Sequence, residues 1–292
     1  MSTTAKSLIF LAITFAFSWG ITLFGASAGL QHDPLASFFT LFAMMAGPAV
    51  AALVCAFAFE SGHRVDALGL RFKPNIWWLY AWLIPLGICL SALLITMNAG
   101  HPFVDPAQGI VTMAQGKLPA AKIEELRQLA PILDPLLVVQ ILVDTAINAI
   151  IITFTEELGW RGYLHFLWRP SGFWRTSLVT GAIWGIWHAP AIYFYGLNYP
   201  DNRLIGIPIF VVFCVLLAPV MTLIRDRAGA TWATGLTHGT INALAGVMAL
   251  CLGNPAFPWN GLVGIGGFVA LAAALAAVAL ARPGLAPQAA TA

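Results

Sequence analysis

Three apolar stretches of the chain contain ionisable or amide side chains, and these residues are the first candidates for chemistry. The set consists of Asp144, Glu156, Glu157, Arg161, His188, His238 and Asn242. Such groups are costly inside a bilayer, so their presence there indicates a function. Carboxylates and histidines can transfer protons or bind metals, and an amide can stabilise a developing negative charge.

The Glu156-Glu157 pair is the strongest of these signals. Glu157 and Arg161 are four residues apart, so they share one face of a helix and can form an ion pair. Glu156 then points elsewhere, and two close carboxylates in an apolar site do not both ionise easily. We therefore expect Glu156 to act as a general base or acid. The alternative is that both glutamates only pair with Arg161 at a membrane surface.

Each histidine taken alone is better explained as a structural residue. A carbonyl freed by a kink at Pro190 could satisfy His188. His238 and Asn242 are one helical turn apart on one face and could form a polar contact between helices. Glycines spaced four residues apart lie close to both histidines, and such pairs let helices approach closely. The glycines are Gly181, Gly185, Gly235 and Gly239. We therefore expect the histidines and Asn242 to meet Glu156.

The composition places these stretches in a membrane. Of the 292 residues, 60% are hydrophobic and 9% are charged, whereas soluble domains carry about 25% charged residues. So few charges cannot cover the surface of a soluble protein of this size. The net charge of +2 and the lack of a basic stripe argue against nucleic acid as a partner. The lipid bilayer is the expected environment.

About eight apolar segments are long enough to cross a bilayer, which needs about 20 residues per helix. They cover roughly residues 7–28, 35–59, 76–97, 136–160, 176–196, 204–224, 229–252 and 261–281. With a cytoplasmic N-terminus, ten lysines and arginines fall on the inner side and four on the outer side. This bias follows the positive-inside rule. We predict an all-α, polytopic transmembrane helix bundle with both termini cytoplasmic.

The other segments add detail to this topology. Residues 1–282 are predicted to form a single transmembrane domain, and the tail at 283–292, rich in alanine and proline, is expected to be disordered. The first segment could be a signal peptide, but its length favours a retained helix. An interfacial amphipathic helix is predicted from Ala121 to Leu133. The four cysteines lack CxxC spacing, which argues against disulfides and thiolate metal sites.

Taken together, the three stretches resemble the motifs of the CAAX-protease and bacteriocin-processing family, also called the Abi family. The matching strings are Thr155-Glu-Glu-Leu-Gly-Trp-Arg-Gly-Tyr163, Trp184-x-x-x-His188 and His238-x-x-x-Asn242, within roughly residues 135–252. Two positions depart from the family pattern. Trp184 stands where the family usually has phenylalanine, and Ile192 stands where some members have a polar residue.

The resemblance implies an intramembrane protease that hydrolyses peptide bonds of membrane-associated peptides or proteins near the cytoplasmic side. Glu156 would deprotonate a water molecule that His188 helps to hold. His238 and Asn242 would donate hydrogen bonds to the developing oxyanion. The ion pair of Glu157 and Arg161 would fix the orientation of the helix.

The family is commonly classed with metalloproteases, so a divalent metal such as zinc is a possible cofactor. Glu156, His188 and His238 could supply three ligands and leave the fourth position for water. The sequence contains no HExxH pair, so no spacing demands zinc. The metal-dependent route and the metal-free route both stay open.

Two functions of other classes fit the same residues. Polar groups and prolines inside helices also mark the substrate paths of transporters, although the chain shows no repeated halves. A non-catalytic membrane scaffold or bacteriocin-immunity protein is the other alternative, since protection can work by binding alone. The sequence does not identify the substrate, and a bacterial cytoplasmic membrane is the expected location.

Overall fold

The computed structural model describes residues 1–281, and this part of the chain is helical without any strand. The α-helices are α1 (Thr3–Ser27), α2 (Pro34–Met45), α3 (Gly47–Phe59), α4 (Arg64–Ala67), α5 (Trp77–Asn98), α6 (Pro106–Ala114), α7 (Ala120–Ile152), α8 (His165–Trp168), α9 (Phe173–Trp187), α10 (Ala189–Tyr195), α11 (Arg203–Ala228), α12 (Thr231–Cys251) and α13 (Ile265–Ala281). The predicted all-α class is confirmed. The predicted tail at 283–292 lies outside the described residues.

Within residues 1–281, five helical segments are long and apolar enough to cross a membrane. They are Thr3–Ser27, Pro34–Phe59, Trp77–Asn98, Val139–Ser171 and Arg203–Ala228. Large apolar side chains such as Phe38, Phe57 and Leu90 are exposed on these helices, as expected for surfaces in contact with lipid. The chain is therefore an integral membrane protein.

The remaining predicted spans coincide with α9 and α10, with α12, and with α13, which has 17 residues. A break at His188 shortens α9, and buried threonines together with His238 make α12 less apolar. The span count of eight and the cytoplasmic termini stay predictions.

The largest difference from the predicted topology concerns the fourth span. The helix predicted from Ala121 to Leu133 and the first part of the span predicted at 136–160 form one continuous helix, α7, of 33 residues, and the rest of that span lies in the π-helical stretch that follows. A change from amphipathic to apolar composition does not by itself end a helix, so the predicted break is absent. The helical path also runs past Glu156 to Trp168, roughly 18 Å further at 1.5 Å per residue. Glu156 therefore lies well inside the span Val139–Ser171.

A π-helical stretch, Thr153–Leu164, follows α7 and carries the first sequence motif. Its hydrogen bonds link residues five apart, a rare geometry that is frequent at functional sites. A Cβ atom on Gly159 would lie 2.5 Å from Pro48 Cβ, and one on Gly162 would lie 2.7 Å from the carbonyl oxygen of Leu68. The two glycines thus let this π stretch pack directly against neighbouring backbone. Its sequence predicted an ordinary α-helix.

Small residues bring α12 and α9 close to their neighbours, as the glycine spacing predicted. A Cβ atom on Gly239 would lie 2.4 Å from the backbone nitrogen of Ala149 on α7. On α9, a Cβ atom on Gly185 would lie 2.6 Å from Cα of Val211 on α11. These contacts arrange α7, the π stretch, α9, α11 and α12 around one buried centre.

The first helix packs into the same bundle. Ser18 Oγ donates a hydrogen bond to the Met44 carbonyl over 2.8 Å, and Trp19 Nε1 donates to the Trp187 carbonyl over 3.0 Å. All four cysteines are buried and free, as expected for small apolar core residues.

Candidate active site

Glu157 is the centre of a buried ionic group. Arg161 Nη1 donates to Glu157 Oε1 over 2.8 Å, and His238 Nδ1 lies 2.9 Å from the same oxygen. The relative exposures of Glu157 and Arg161 are 0% and 1%. The i, i+4 pair predicted from the sequence is therefore present, and it lies in the interior. The alternative, a pair at the membrane surface, does not describe it.

Glu156 points to a different partner, as its neighbouring position on the helix requires. Trp184 Nε1 donates to Glu156 Oε2 over 2.8 Å. The side chain is 3% exposed, and its other oxygen accepts no hydrogen bond from residues 1–281. The two adjacent carboxylates thus have separate environments. Glu157 is bound through Oε1 by two charged or polar side chains, and its Oε2 is buried without a partner in residues 1–281. Glu156 has a single donor, and its other oxygen is available to bind a proton or a water.

His188 lies at the break between α9 and α10. Its Nδ1 is 2.8 Å from the carbonyl oxygen of Trp184. A carbonyl can only accept, so Nδ1 carries the hydrogen and Nε2 is left as the free ring nitrogen. The ring packs edge-on against Trp187 and Phe210, at centroid distances of 4.6 and 4.7 Å. Its orientation is therefore fixed by one hydrogen bond and two aromatic neighbours.

The indole of Trp184 joins the parts of the site. Its ring lies 5.8 Å from the His188 ring and 5.2 Å from the His238 ring, centroid to centroid. The Arg161 guanidinium lies 4.4 Å from the Trp184 ring centroid, within the range of a cation–π contact. From the sequence, Trp184 was noted only as a departure from the phenylalanine of the family pattern. Its N–H group was the available signal, since the phenylalanine usual at this position could not hydrogen-bond Glu156.

Asn242 is not drawn into the buried group. It lies on α12 one turn beyond His238, but its side chain is exposed and forms no hydrogen bond with residues 1–281. The structure thus brings together five of the six predicted site residues, Glu156, Glu157, Arg161, His188 and His238. Asn242 sits at the edge of the site.

The predicted metal ligands do not form a ligand group. Across residues 1–281 no set of three His, Cys, Asp or Glu side chains is arranged to hold a metal ion. The Trp184 indole lies in a central position against Glu156, His188 and His238. This arrangement does not fit a three-ligand site, so we derive no step through a metal.

Comparison with known protein families addresses the same helices. A family model described as Type II CAAX prenyl endopeptidase Rce1-like matches residues 138–244. No curated protein gives a significant match. The matched segment begins in α7 and ends in α12, and it contains every residue of the buried ionic group. Residues 138–244 are thus similar to the type II CAAX prenyl endopeptidases, which confirms the resemblance to the CAAX-protease family of membrane proteases.

Proposed function

We propose that the protein is an intramembrane endopeptidase that hydrolyses peptide bonds of membrane-associated peptides or proteins, with Glu156 as general base. The observation that carries the proposal is the environment of Glu156. Its carboxylate is buried, is held by one donor from Trp184, and keeps one oxygen without a partner in the described part of the chain. A carboxylate in such a position can take a proton from water, provided that nothing else occupies the free oxygen.

His188 would hold the nucleophilic water. Because its Nδ1–H group is engaged by the Trp184 carbonyl, Nε2 presents a lone pair that can accept a hydrogen bond from water. The water oxygen bonds to the carbonyl carbon of the substrate while one proton passes to Glu156. Glu156 then returns this proton to the departing amine as the C–N bond breaks. One water is consumed for each bond cleaved, and no redox partner is needed.

His238 would stabilise the oxyanion through Nε2. Its Nδ1 faces the Glu157 carboxylate, which stabilises an imidazolium whose Nε2–H can donate. Asn242 follows one turn later on the same helix face and would supply a second donor to the oxyanion or to the substrate main chain.

The test is a cleavage assay in nanodiscs with a pool of membrane peptides that includes prenylated C-terminal peptides. The comparison is between wild type, Glu156→Gln, His238→Ala and the control Glu124→Gln. Glu124 is a carboxylate of the same helix whose side chain is 60% exposed. We expect both site variants to lose cleavage and the control to retain it.

Each outcome of this assay separates the candidate functions. Full cleavage by Glu156→Gln would refute the proposed base, and binding of a small solute without cleavage would favour a transporter. A physiological effect that survives loss of Glu156 would favour a scaffold or immunity protein. Each variant is assayed with and without a chelator. Inhibition by the chelator that zinc reverses would favour a metal-dependent route.

A further inference from the structure

A polar strip on α7 is left unexplained by the site described above. Gln140, Asp144 and Asn148 are spaced four residues apart and share one helix face. Gln140 Nε2 donates to Asp144 Oδ2 over 3.3 Å, and Asn148 Nδ2 donates to the backbone carbonyl of Asp144 over 2.8 Å. All three lie within Val139–Ser171, one of the segments able to span the membrane.

The strip lacks the partners that a carboxylate in lipid requires. Asp144 is half-buried, and within residues 1–281 no lysine or arginine forms an ion pair with it. Nearby, the hydroxyl oxygen of Thr145 is buried without any hydrogen-bond partner, and Thr145 is 5% exposed. Polar groups at this depth normally face a protein partner or a water-filled space. Among the described side chains, no cation pairs with Asp144 and no partner binds the Thr145 hydroxyl.

Helix α12, which packs against α7, has open space beside this strip. Gly239 and Gly246 are seven residues apart and therefore lie on nearly the same face of α12. A Cβ atom on Gly239 would contact α7 at 2.4 Å, whereas one on Gly246 would meet nothing within 4 Å. Between them the side chain of Asn242 is exposed. The two helices are thus in direct contact at Gly239, whereas a side chain at Gly246 would face open space.

We infer that α7 and α12 enclose a hydrated crevice, lined by the polar strip and Asn242, which delivers water to Glu156. This inference rests on the proposed function, because hydrolysis consumes water at a site whose key side chains are at most 8% exposed. Asn148 lies on the same helical path as Glu156, roughly 12 Å away at 1.5 Å per residue. Water bound along the strip would satisfy Asp144 and Thr145 and would replace each water that the reaction consumes.

The experiment is thiol labelling in nanodiscs, where both membrane faces are open to solvent. A charged, water-soluble methanethiosulfonate reagent is applied to Asp144→Cys and Asn148→Cys, each paired with its neighbour, Val143→Cys or Ile147→Cys. Val143 and Ile147 are each 49% exposed but are apolar. Thiols need water to form the reactive thiolate, so contact with lipid alone leaves them inert. Wild type, whose four cysteines are buried, gives the background.

We expect the two strip variants to react several-fold faster than their paired neighbours. Slow reaction at all four positions would show a dry interface and overturn the crevice. Equally fast reaction at all four would place the segment at the membrane surface and would also overturn it. Two independent pairs keep the test decisive if one variant fails to fold.

A kinetic measurement connects the crevice to cleavage. In the double variant Asp144→Leu/Asn148→Leu, we expect kcat to fall several-fold with KM unchanged, because water supply and not substrate binding is impaired. An unchanged kcat would overturn the delivery role. The expected labelling pattern in a protein that cleaves no peptide would instead count against the proposed function alone.

Discussion

The helical path from α7 to α8 carries two groups of paired ionisable side chains, and they differ in burial and in how completely they are satisfied. The group around Glu157 lies in the interior, where Arg161 Nη2 has no hydrogen-bond partner within residues 1–281. The second group lies at the end of the path. There His165 Nε2 is 3.0 Å and Arg169 Nε is 3.4 Å from Asp226 Oδ1 on α11. In the sequence, Glu157 falls inside a predicted span, whereas His165 and Asp226 fall between predicted spans.

The geometry of the two groups indicates that the first one serves a function and the second one stabilises the structure. In the second group the carboxylate lies between a histidine and an arginine, and water reaches it, since the Asp226 side chain is 23% exposed. Beside the first group, Glu156 keeps an oxygen and both histidines keep an Nε2 atom without a hydrogen-bond partner in residues 1–281. Free hydrogen-bonding atoms are costly in a dry interior and useful only to a substrate or water. Burial of charge alone therefore does not identify a site.

The largest expected effect sharpens this difference. Glu156→Gln should lower cleavage about 100- to 10,000-fold, the range for loss of a general base. It should leave the thermal unfolding temperature in detergent unchanged or higher, because a buried charge with a single donor is removed. The same measurements on Glu124→Gln provide the control. A marked loss of stability would show that Glu156 is a structural residue. The two groups would then no longer differ in function.

Arg161→Met should affect stability as well as activity. Removing one partner of a buried ion pair leaves the other charge uncompensated, at a cost of about 3–5 kcal/mol. The double variant Glu157→Gln/Arg161→Met should recover much of that stability, but not cleavage, because His238 loses its carboxylate. Thermal unfolding and cleavage are measured on all three variants. Cleavage by the double variant near the wild-type rate would contradict the role given to Glu157.

Trp184→Phe tests the hydrogen bond that distinguishes this chain from the family pattern. The substitution keeps an aromatic ring beside both histidines but removes the donor to Glu156. Hydrogen bonds to charged groups are worth about 1.5–3 kcal/mol, so cleavage should fall about tenfold or more. A steady-state comparison of kcat with KM measures this loss, with Trp174→Phe at the exposed start of α9 as control. Unchanged kcat would reduce Trp184 to a packing residue.

The sequence predicted much of this site because its signals are local. The spacing of Glu157 and Arg161 fixes their pairing on any helix-like backbone, and the glycines on α9 and α12 predicted close contacts that the structure contains. Apolar segments likewise located the helices. Where a helix ends was harder to predict, since the continuity of α7 depends on backbone hydrogen bonding that a change in composition does not interrupt.

Other features depend on tertiary packing and could not be read from local patterns. The π stretch forms where Gly159 meets Pro48 and Gly162 meets Leu68, far away in the sequence. Asn242 is exposed although its spacing from His238 is ideal, because the neighbours of α12 decide which of its faces is buried. The central role of Trp184 follows from its position between three helices. Each of these depends on contacts between distant segments.

The smallest effect is expected at the second group, around Asp226. It tests whether this group only stabilises the structure. Asp226→Asn keeps the shape of the side chain and weakens its pairs with His165 and Arg169. Because Asp226 is partly exposed, the loss in stability should be about 1 kcal/mol or less, and cleavage should be unchanged. Thermal unfolding and the peptide assay measure both, with Asp201→Asn in the loop before α11 as control. A large loss of cleavage would mean that the pairs of Asp226 with His165 and Arg169 position Glu156 through the π stretch. A fully paired ionic group would then also contribute to catalysis.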